Sequence, residues 1–284
     1  MLVDKPAAMT SHDVVQRVRR VLGTPAAGHT GTLDPFATGL LIVLVGRATR
    51  LARFVESERK TYLATARLGV RTDTDDLTGQ IVGTTAIGAP VPEPALSAAL
   101  AGFRGTHLQR PPQYSAKHVA GERSHRRARR GERVELADVS VTVHEIDLVA
   151  YEPPDVTFRA VVSAGTYIRA LARDLGERLE VGAHLTSLRR EAIGSLRVED
   201  AVPLDRVSRA GVLPPQLVLG RLPSVELDDT ARRAVAHGRA VRDSGEAGKR
   251  GSGEVVALLD GGELVAVAEA KDGWLQPTVV LQAP

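Results

Sequence analysis

The segment Gly28-His-Thr-Gly-Thr-Leu-Asp-Pro-Phe-Ala-Thr-Gly-Leu-Leu-Ile-Val-Leu-Val45 decides the fold of this chain. Its glycines permit tight turns and a close approach of a substrate to the backbone. The apolar run at residues 40–45 predicts a buried strand. Asp34 precedes a proline, which holds it out of the helical region, so that a loop can present its carboxylate. Read alone, the segment fits both a plain Asp-Pro turn and a functional carboxylate.

The composition excludes several classes of site and of protein. The 284 residues include no cysteine, which excludes disulfides, thiolate catalysis and metal sites built on sulfur. The glycine-rich segment lacks the patterns of phosphate-binding P-loops and of dinucleotide loops. The N-terminus does not have the pattern of a signal peptide, and residues 40–45 are far shorter than the roughly 20 residues of a membrane span. We therefore expect a soluble, cytoplasmic protein with no membrane association.

Apolar periodicity predicts helices and strands on both sides of the glycine-rich segment. Before it, Thr10 or Ser11 can cap a helix whose apolar residues share one face. After it, residues 60–69 alternate like a strand, with Tyr62 on the apolar side. Further elements are predicted at residues 92–103 (helix), 139–149 (strand), 156–162 (strand) and 168–179 (helix, capped by Thr166). Strands interleaved with few helices indicate an α+β fold.

The last quarter of the chain differs from the rest. Residues 212–223 contain three prolines and predict a linker. Beyond it, a short helix and a hairpin around Asp260-Gly-Gly262 predict a small β-rich module. We therefore expect two domains, residues 1–215 and residues 222–284.

Arg169 and Tyr167 lie at a predicted strand-to-helix junction, Gly165-Thr-Tyr-Ile-Arg169. An arginine in the first turn of a helix opposes the helix dipole, so we expect Arg169 to have a carboxylate or phosphate partner. The alternative is a surface arginine with an acidic neighbour.

Six arginines crowd residues 121–133, with only two glutamates to oppose them. Blocks of like charge frequently contact nucleic acid, and a solvated helix face is the alternative. We interpret the acidic stretch at residues 71–79 as a polar turn, because its spacing fails that of a calcium loop. The histidines lack metal-ligand spacing, so no metal site is predicted.

Taken together and in this order, these segments resemble the TruB family of tRNA pseudouridine synthases. The matching stretches cover residues 1 to about 200 and lie at residues 3–11, 28–40, 60–62, 67–74, 114–116, 165–169 and 182–190. The resemblance implies a pseudouridine synthase fold, with a mixed, largely antiparallel central sheet flanked by helices and loops. It also implies a small PUA-like, RNA-binding domain at the C-terminus. Ala8 stands where the family usually has glycine, so we expect that turn to differ.

The resemblance implies a catalytic role for three residues. Asp34 matches the family's catalytic aspartate, and Arg169 matches the arginine that pairs with it. Tyr62 matches the tyrosine that stacks on the target base and is a proposed proton acceptor. A paired arginine typically lowers the pKa of a carboxyl by about 1–3 units, and we expect this at Asp34.

Substrate binding is implied for a second set of residues. Lys5 matches the lysine of the family's first motif, and His29 a histidine implicated in taking the place of the flipped base. Tyr167 and Leu188 match further pocket residues. From the arginine cluster we add three phosphate-binding candidates, Arg126, Arg127 and Arg130.

The resemblance implies an isomerase that converts uridine 55 of the TΨC loop of tRNA to pseudouridine, without a cofactor or a metal. Its partner would be the T-arm stem-loop, and we expect a monomer. Whether the aspartate adds to C1′ or acts through a glycal route stays open. The alternatives are a non-catalytic tRNA-binding or folding chaperone of the same fold, and an aspartate-based glycosidase. The glycosidase would need a second carboxylate about 5–9 Å from the first.

Overall fold

The glycine-rich segment forms most of one strand, the whole of its neighbour and the loop between them in a ten-stranded sheet. The computed structural model describes residues 1–113, 136–220, 222–243 and 250–282, with the backbone alone at residues 118–119 and 122–123. The α-helices in these ranges are α1 (Ser11–Leu22), α2 (Ala52–Glu56), α3 (Glu93–Ala101), α4 (Ile168–Arg178) and α5 (Asp229–Ala236). The described strands before residue 150 are β1 (Leu2–Lys5), β2 (Ala27–Thr30), β3 (Thr38–Val45), β4 (Lys60–Leu68), β5 (Val70–Thr72), β6 (Ile81–Thr84), β7 (Gly105–Gln109), β8 (His118–Val119), β9 (Glu122–Arg123) and β10 (Val139–Glu152). Those that follow are β11 (Asp155–Val162), β12 (Ala183–Ile193), β13 (Leu196–Arg197), β14 (Val202–Pro203), β15 (Ser224–Glu226), β16 (Val241–Arg242), β17 (Val255–Asp260), β18 (Glu263–Lys271) and β19 (Trp274–Val280).

The large sheet has the order β14-β1-β3-β12-β4-β11-β10-β7, with β2 beside β3 and β13 beside β12. The pairs β1–β14 and β3–β12 are parallel. The remaining neighbours are antiparallel. The predicted mixed, largely antiparallel sheet in an α+β fold is therefore confirmed. Among the described helices, none is long and apolar enough to cross a membrane.

Helix α1 follows its sequence pattern closely. Thr10 is the N-cap, and its side chain accepts a hydrogen bond from Asp13 N, while Gly23 ends the helix in the left-handed conformation. Its valines pack with residues of β1 and β3 in one buried cluster. The prediction for this helix is confirmed, including its start and its end.

Helix α4 begins later than Thr166, so the prediction of Thr166 as its cap is wrong. Tyr167 is the N-cap residue, and it makes no side-chain cap hydrogen bond. Thr166 Oγ1 instead donates to the carbonyl of Ser163 at 3.0 Å, because the turn through Gly165, with φ of 83°, directs it backwards. The buried Gln109 side chain supports the junction, accepting from Tyr167 N at 2.9 Å and donating to Tyr167 O at 3.1 Å.

The C-terminal part contains a five-stranded sheet of order β15-β17-β18-β19-β16, which confirms the predicted β-rich module. Its PUA-like character and the domain limits stay predictions. The two sheets share a hydrophobic cluster, in which Leu40, Ile42 and Leu44 of β3 join Leu264 and Val267 of β18.

Glycine at position 39 is required by the approach of β12 to β3. Gly39 has φ of 102°, which only glycine adopts readily, and it pairs with Arg190. A Cβ there would overlap the carbonyl oxygen of Arg190 and lie 2.7 Å from its backbone nitrogen. The close approach at Gly39 is therefore one of strand to strand rather than of substrate to backbone.

We predict that Gly39→Ala lowers the free energy of unfolding by about 2 kcal/mol or more, because both the φ and the overlap oppose a side chain. Urea denaturation followed by circular dichroism measures this change. Gly28→Ala is the matched control, since a Cβ at Gly28 meets no described atom within 4 Å. Equal stability of the two variants would contradict the prediction.

Candidate active site

The loop that carries Asp34 is anchored on both sides of that residue. Before it, Leu33 N donates to Ser11 Oγ at 2.9 Å, and Ser11 Oγ lies 3.2 Å from Leu33 O. After it, Lys5 Nζ donates to Pro35 O at 3.2 Å. Ala37 N closes the turn onto Asp34 O at 3.1 Å. The carboxylate is thus presented from a loop that is fixed to α1 and to the end of β1.

Lys5 is buried, and its ammonium is directed at backbone carbonyls. Besides Pro35 O, it donates to Pro6 O at 2.8 Å and to Met9 O at 2.6 Å. Burial lowers the pKa of Lys5 to about 8, against the opposing attraction of Asp34. Ala8, within the turn that Lys5 encloses, has φ of 62°, the left-handed conformation that favours glycine. These contacts describe a residue that holds the loop, whereas its expected role in substrate binding stays a prediction.

Arg169 makes a two-pronged ion pair with Asp34. Arg169 Nε lies 2.9 Å from Asp34 Oδ2, and Arg169 Nη2 donates to Asp34 Oδ1 at 3.1 Å. The arginine side chain is 6% exposed and the carboxylate side chain 30% exposed, so the carboxylate is the accessible member. The expectation that an arginine at the start of α4 has a carboxylate partner is confirmed.

A second acid, Asp76, holds Arg169 from the other side. Arg169 Nη1 lies 3.2 Å from Asp76 Oδ2 and 3.0 Å from the carbonyl of Thr74. Asp76 Oδ1 accepts from Thr74 Oγ1, from Thr78 N and from Thr78 Oγ1. With its side chain 4% exposed, Asp76 has donors on both oxygens.

Sequence reasoning recognised the turn at residues 71–79 but not this buried acid. The turn itself is present. Nothing in the pattern separates Asp76 from Asp73 and Asp75, because all three lie among threonines. The available signal was indirect: a buried arginine needs more acceptors than one partly exposed carboxylate supplies.

The electrostatics of Asp34 differ from the expectation. Burial raises the pKa of the Asp34 carboxyl, and the nearby Asp76 adds to this rise, while Arg169 and Lys5 oppose it. The predicted lowering is therefore wrong, because the cost of desolvating the carboxylate outweighs the attraction of the guanidinium. Two N–H groups directed at its two oxygens are the partners that an ionised carboxylate accepts.

Tyr62 and Leu188 are connected to this ion pair through the hydrophobic core. Both are buried, in the same hydrophobic cluster as Leu33 and Ile168, the chain neighbours of Asp34 and Arg169. Leu188 faces Ala64 across the β4–β12 pair, so it shares one side of the sheet with Tyr62. The structure thus pairs Asp34 with Arg169, and it places Tyr62 and Leu188 in the hydrophobic cluster that contains the chain neighbours of that pair.

The remaining predicted residues are placed less centrally. Tyr167 is half-buried at the start of α4, and its backbone is held by Gln109, which sequence reasoning missed. His29 is half-buried in β2, opposite Val43 of β3. The three arginines proposed for phosphate binding lie outside the described residues: Arg126, Arg127 and Arg130.

Charge pairing is the feature that marks the site. A cavity of about 830 Å³ lies between the end of β1, α1 and β14, and it is lined by Lys5, Arg17 and Arg189 among others. Arg189 lies between Leu188 and Arg190 on β12, so its side chain points to the opposite face of the sheet from Leu188. The Asp34–Arg169 pair is not part of the lining of this cavity.

Comparison with known proteins gives consistent matches along the chain. Residues 19–168 match the N-terminal domain of TruB family pseudouridylate synthases, and residues 169–214 match the tRNA pseudouridylate synthase B C-terminal domain. The tRNA pseudouridine synthase B of Thermobifida fusca is 44% identical over 290 residues, covering 99% of this chain and 97% of that protein. The tRNA pseudouridine synthase B of a Synechococcus species is 42% identical over 300 residues, with coverage of 99% and 97%.

A solved structure of similar fold is an H/ACA RNP bound to a substrate RNA containing 2′-deoxyuridine. It superimposes with a TM-score of 0.75 at 27% identity, covering 99% of this chain and 84% of that chain.

We predict that Asp76→Ala lowers the free energy of unfolding by about 3 kcal/mol or more, because it leaves the buried Arg169 with one carboxylate and removes the three hydrogen bonds that Asp76 Oδ1 accepts from Thr74 and Thr78. Chemical denaturation measures the loss. Asp73→Ala is the control: Asp73 is exposed and accepts from Gln80 N, so it should cost below about 1 kcal/mol. Similar losses in both variants would show that Asp76 is an ordinary turn residue.

Proposed function

Since the chain belongs to the TruB family and is a tRNA pseudouridine synthase, an isomerase, we propose that it isomerises uridine 55 in the TΨC loop of tRNA. The observation that carries this proposal is the two-pronged Asp34–Arg169 pair, which presents one accessible carboxylate above a buried guanidinium. Asp34 is the proposed catalytic residue. Arg169 holds it in place and balances its negative charge.

The chemistry requires an oxygen atom beside the anomeric carbon of the target nucleotide. The N1–C1′ bond must break and a C5–C1′ bond must form. The proton on C5 is then lost, and N1, which no longer bonds to C1′, takes up a proton. An ionised carboxylate can add to C1′ or stabilise the positive charge that develops there. Asp34 suits either of these roles, because its side chain is 30% exposed while the side chain of its partner Arg169 is buried.

The target base must leave the stacked T-loop before it reaches Asp34, at a cost of a few kcal/mol. We infer that Tyr62, with Leu188 beside it, forms an apolar platform for the flipped base. Stacking on an aromatic ring contributes roughly 1–3 kcal/mol, which offsets much of that cost. Tyr167 and His29 are proposed to line the entrance, and Lys5 to hold the loop of Asp34.

Two alternatives are less well supported. A glycosidase needs a second carboxyl group that is free to transfer a proton. Asp76 is the nearby candidate, but its side chain is 4% exposed and both oxygens accept hydrogen bonds. A non-catalytic tRNA chaperone needs no exposed carboxylate on a buried arginine, whereas this pair costs desolvation to maintain.

The proposal extends to RNA contacts outside the pocket. We propose that Arg126, Arg127 and Arg130 contact tRNA phosphates and that residues 222–284 form a PUA-like RNA-binding domain beside a catalytic domain of residues 1–215. The support for the first point is the local excess of arginine, whose planar fork suits phosphate.

We predict that Asp34→Asn reduces pseudouridine formation in a T-arm stem-loop by about a thousandfold or more, because the amide cannot act as a nucleophile or carry negative charge. The measurement is tritium release from C5 of the labelled target uridine, with binding of the stem-loop measured separately. Asp73→Asn is the control and should keep wild-type activity. A fully active Asp34→Asn would overturn the assignment, and a stem-loop labelled only at another uridine tests position 55.

We predict that reversing the charge of Arg126, Arg127 and Arg130 together weakens tRNA binding and lowers its salt dependence. Each lost phosphate contact should reduce the slope of log K against log salt by about 0.7–0.9. Filter binding between 50 and 300 mM salt (about a sixfold range) would give the slope. Arg20→Glu, on the exposed side of α1, gives the change in slope for one reversed charge outside the cluster. An unchanged slope would assign the cluster to a solvated surface.

A further inference from the structure

A second pair of opposite charges lies beside the Asp34–Arg169 pair. Arg169 and Arg173 are four residues apart on α4 and therefore share one face of it. The acids that they contact, Asp76 and Asp75, are adjacent in the chain. Arg169 Nη1 lies 3.2 Å from Asp76 Oδ2, and Arg173 Nη1 lies 3.0 Å from Asp75 Oδ2.

The backbone of Asp75 explains how two adjacent carboxylates reach one helix. In an extended strand, adjacent side chains would point to opposite sides. Asp75 instead has φ of 59°, the left-handed conformation that non-glycine residues rarely adopt. Its carbonyl accepts from Leu185 N at 3.0 Å, and its own nitrogen lies 3.3 Å from Thr72 O. The turn is therefore held in an unfavourable conformation in which both acids contact α4.

The Asp75–Arg173 pair is also unfavourable to bury. The two side chains are 15% and 17% exposed. Burial raises the pKa of Asp75 from 3.8 to about 6; Arg173 and Arg169 oppose this rise, and Asp174 adds to it. Because the folded-state pKa is raised, the folded protein favours protonated Asp75, so stability falls as the pH rises from 3.8 to about 6 and the full cost is present above that range. The charge of Asp75 at neutral pH therefore needs an explanation other than stability.

Arg173 connects the turn to two further points. Its Nε donates to Asp174 Oδ1 at 2.9 Å, and its Nη2 donates to the carbonyl of Arg110 at 2.9 Å. Asp75 in turn is linked to Asp34 through its neighbour Asp76 and then Arg169. It does not belong to the reacting groups, but a shift of the turn would be passed to them.

We propose that Asp75 and Arg173 are positioning residues for the reaction. Their ion pair holds the turn at residues 72–79 against α4. This keeps Asp76 in contact with Arg169, and Arg169 in the orientation in which it pairs with Asp34. This inference rests on the proposed catalytic role of Asp34. The left-handed backbone of Asp75 and its buried negative charge each cost the folded state free energy, and the positioning role gives both a function.

The test is Asp75→Asn, which removes the charge and keeps the shape. The single-turnover rate of pseudouridine formation should fall about tenfold, since small displacements of catalytic groups are costly. The Kd for tRNA should stay within about twofold of the wild-type value, and the Tm at neutral pH should be unchanged or higher. A purely structural pair would instead lower the Tm and leave the rate per folded molecule unchanged, which would overturn the proposal.

Two further variants sharpen the result. Asp155→Asn breaks a surface pair with Arg67, 2.7 Å apart with side chains 30% and 47% exposed, and should leave the rate unchanged. The double variant Asp75→Asn/Arg173→Gln should be no slower than the slower single variant, because the two residues act as one unit. Additive losses would contradict a shared role.

The outcomes separate this inference from the proposed function. An inactive wild-type protein, or a fully active Asp34→Asn, refutes the proposed function itself. An active wild type, an inactive Asp34→Asn and an Asp75→Asn with the wild-type rate would refute the positioning role alone.

Discussion

The architecture of the site depends on one buried guanidinium, that of Arg169. It joins three segments that are distant in the chain: the loop after β2, the turn at residues 72–79 and the start of α4. A desolvated cation without acceptors would cost several kcal/mol, so each segment that supplies an oxygen is held in place by that cost. The accessible carboxylate of Asp34 is the one part of this arrangement that remains available to a ligand.

Buried basic residues of the large sheet act on backbone carbonyls as well as on acids. Lys5 binds the carbonyls of Pro6, Met9 and Pro35, and Lys60 binds those of Glu56 and Glu58. Burial lowers the pKa of each lysine to about 8. Arg190 similarly donates to Leu40 O and Gly31 O, and thereby ties β12 to the glycine-rich segment. The loops therefore owe their shape to buried donors that compensate inward-facing carbonyls.

Local patterns predicted the elements whose signals are contained within a few residues. The capping of α1 by Thr10, the alternation around Tyr62 and the hairpin at residues 255–271 all follow from spacing alone. The long strand β12 was not predicted, because its two bulges break the alternation and it buries Arg190. An anionic partner for Arg169 was predicted, because an arginine in the first turn of a helix opposes the helix dipole.

The sequence alone could not show which of several similar aspartates is buried. Nor could it show whether burial or charge pairing has the larger effect on the pKa of Asp34. Asp73, Asp75 and Asp76 look alike in the sequence, yet one is exposed, one faces Arg173 and one faces Arg169. The pKa of Asp34 was expected to fall, but it rises because burial, which depends on the whole fold, exceeds the effect of the paired charge. The surroundings of each aspartate and the pKa of Asp34 both depend on contacts between residues more than 90 positions apart.

The hydrophobic cluster shared by the two sheets bears on how the chain acquires its structure during synthesis. One face of β3, with Leu40, Ile42 and Leu44, packs in the same cluster as Leu264 and Val267, more than 200 residues later. At translation rates of about 5–20 residues per second, that apolar face waits on the order of tens of seconds for its covering strands. A nascent chain in this interval therefore lacks the part of the apolar cover that β18 provides to β3.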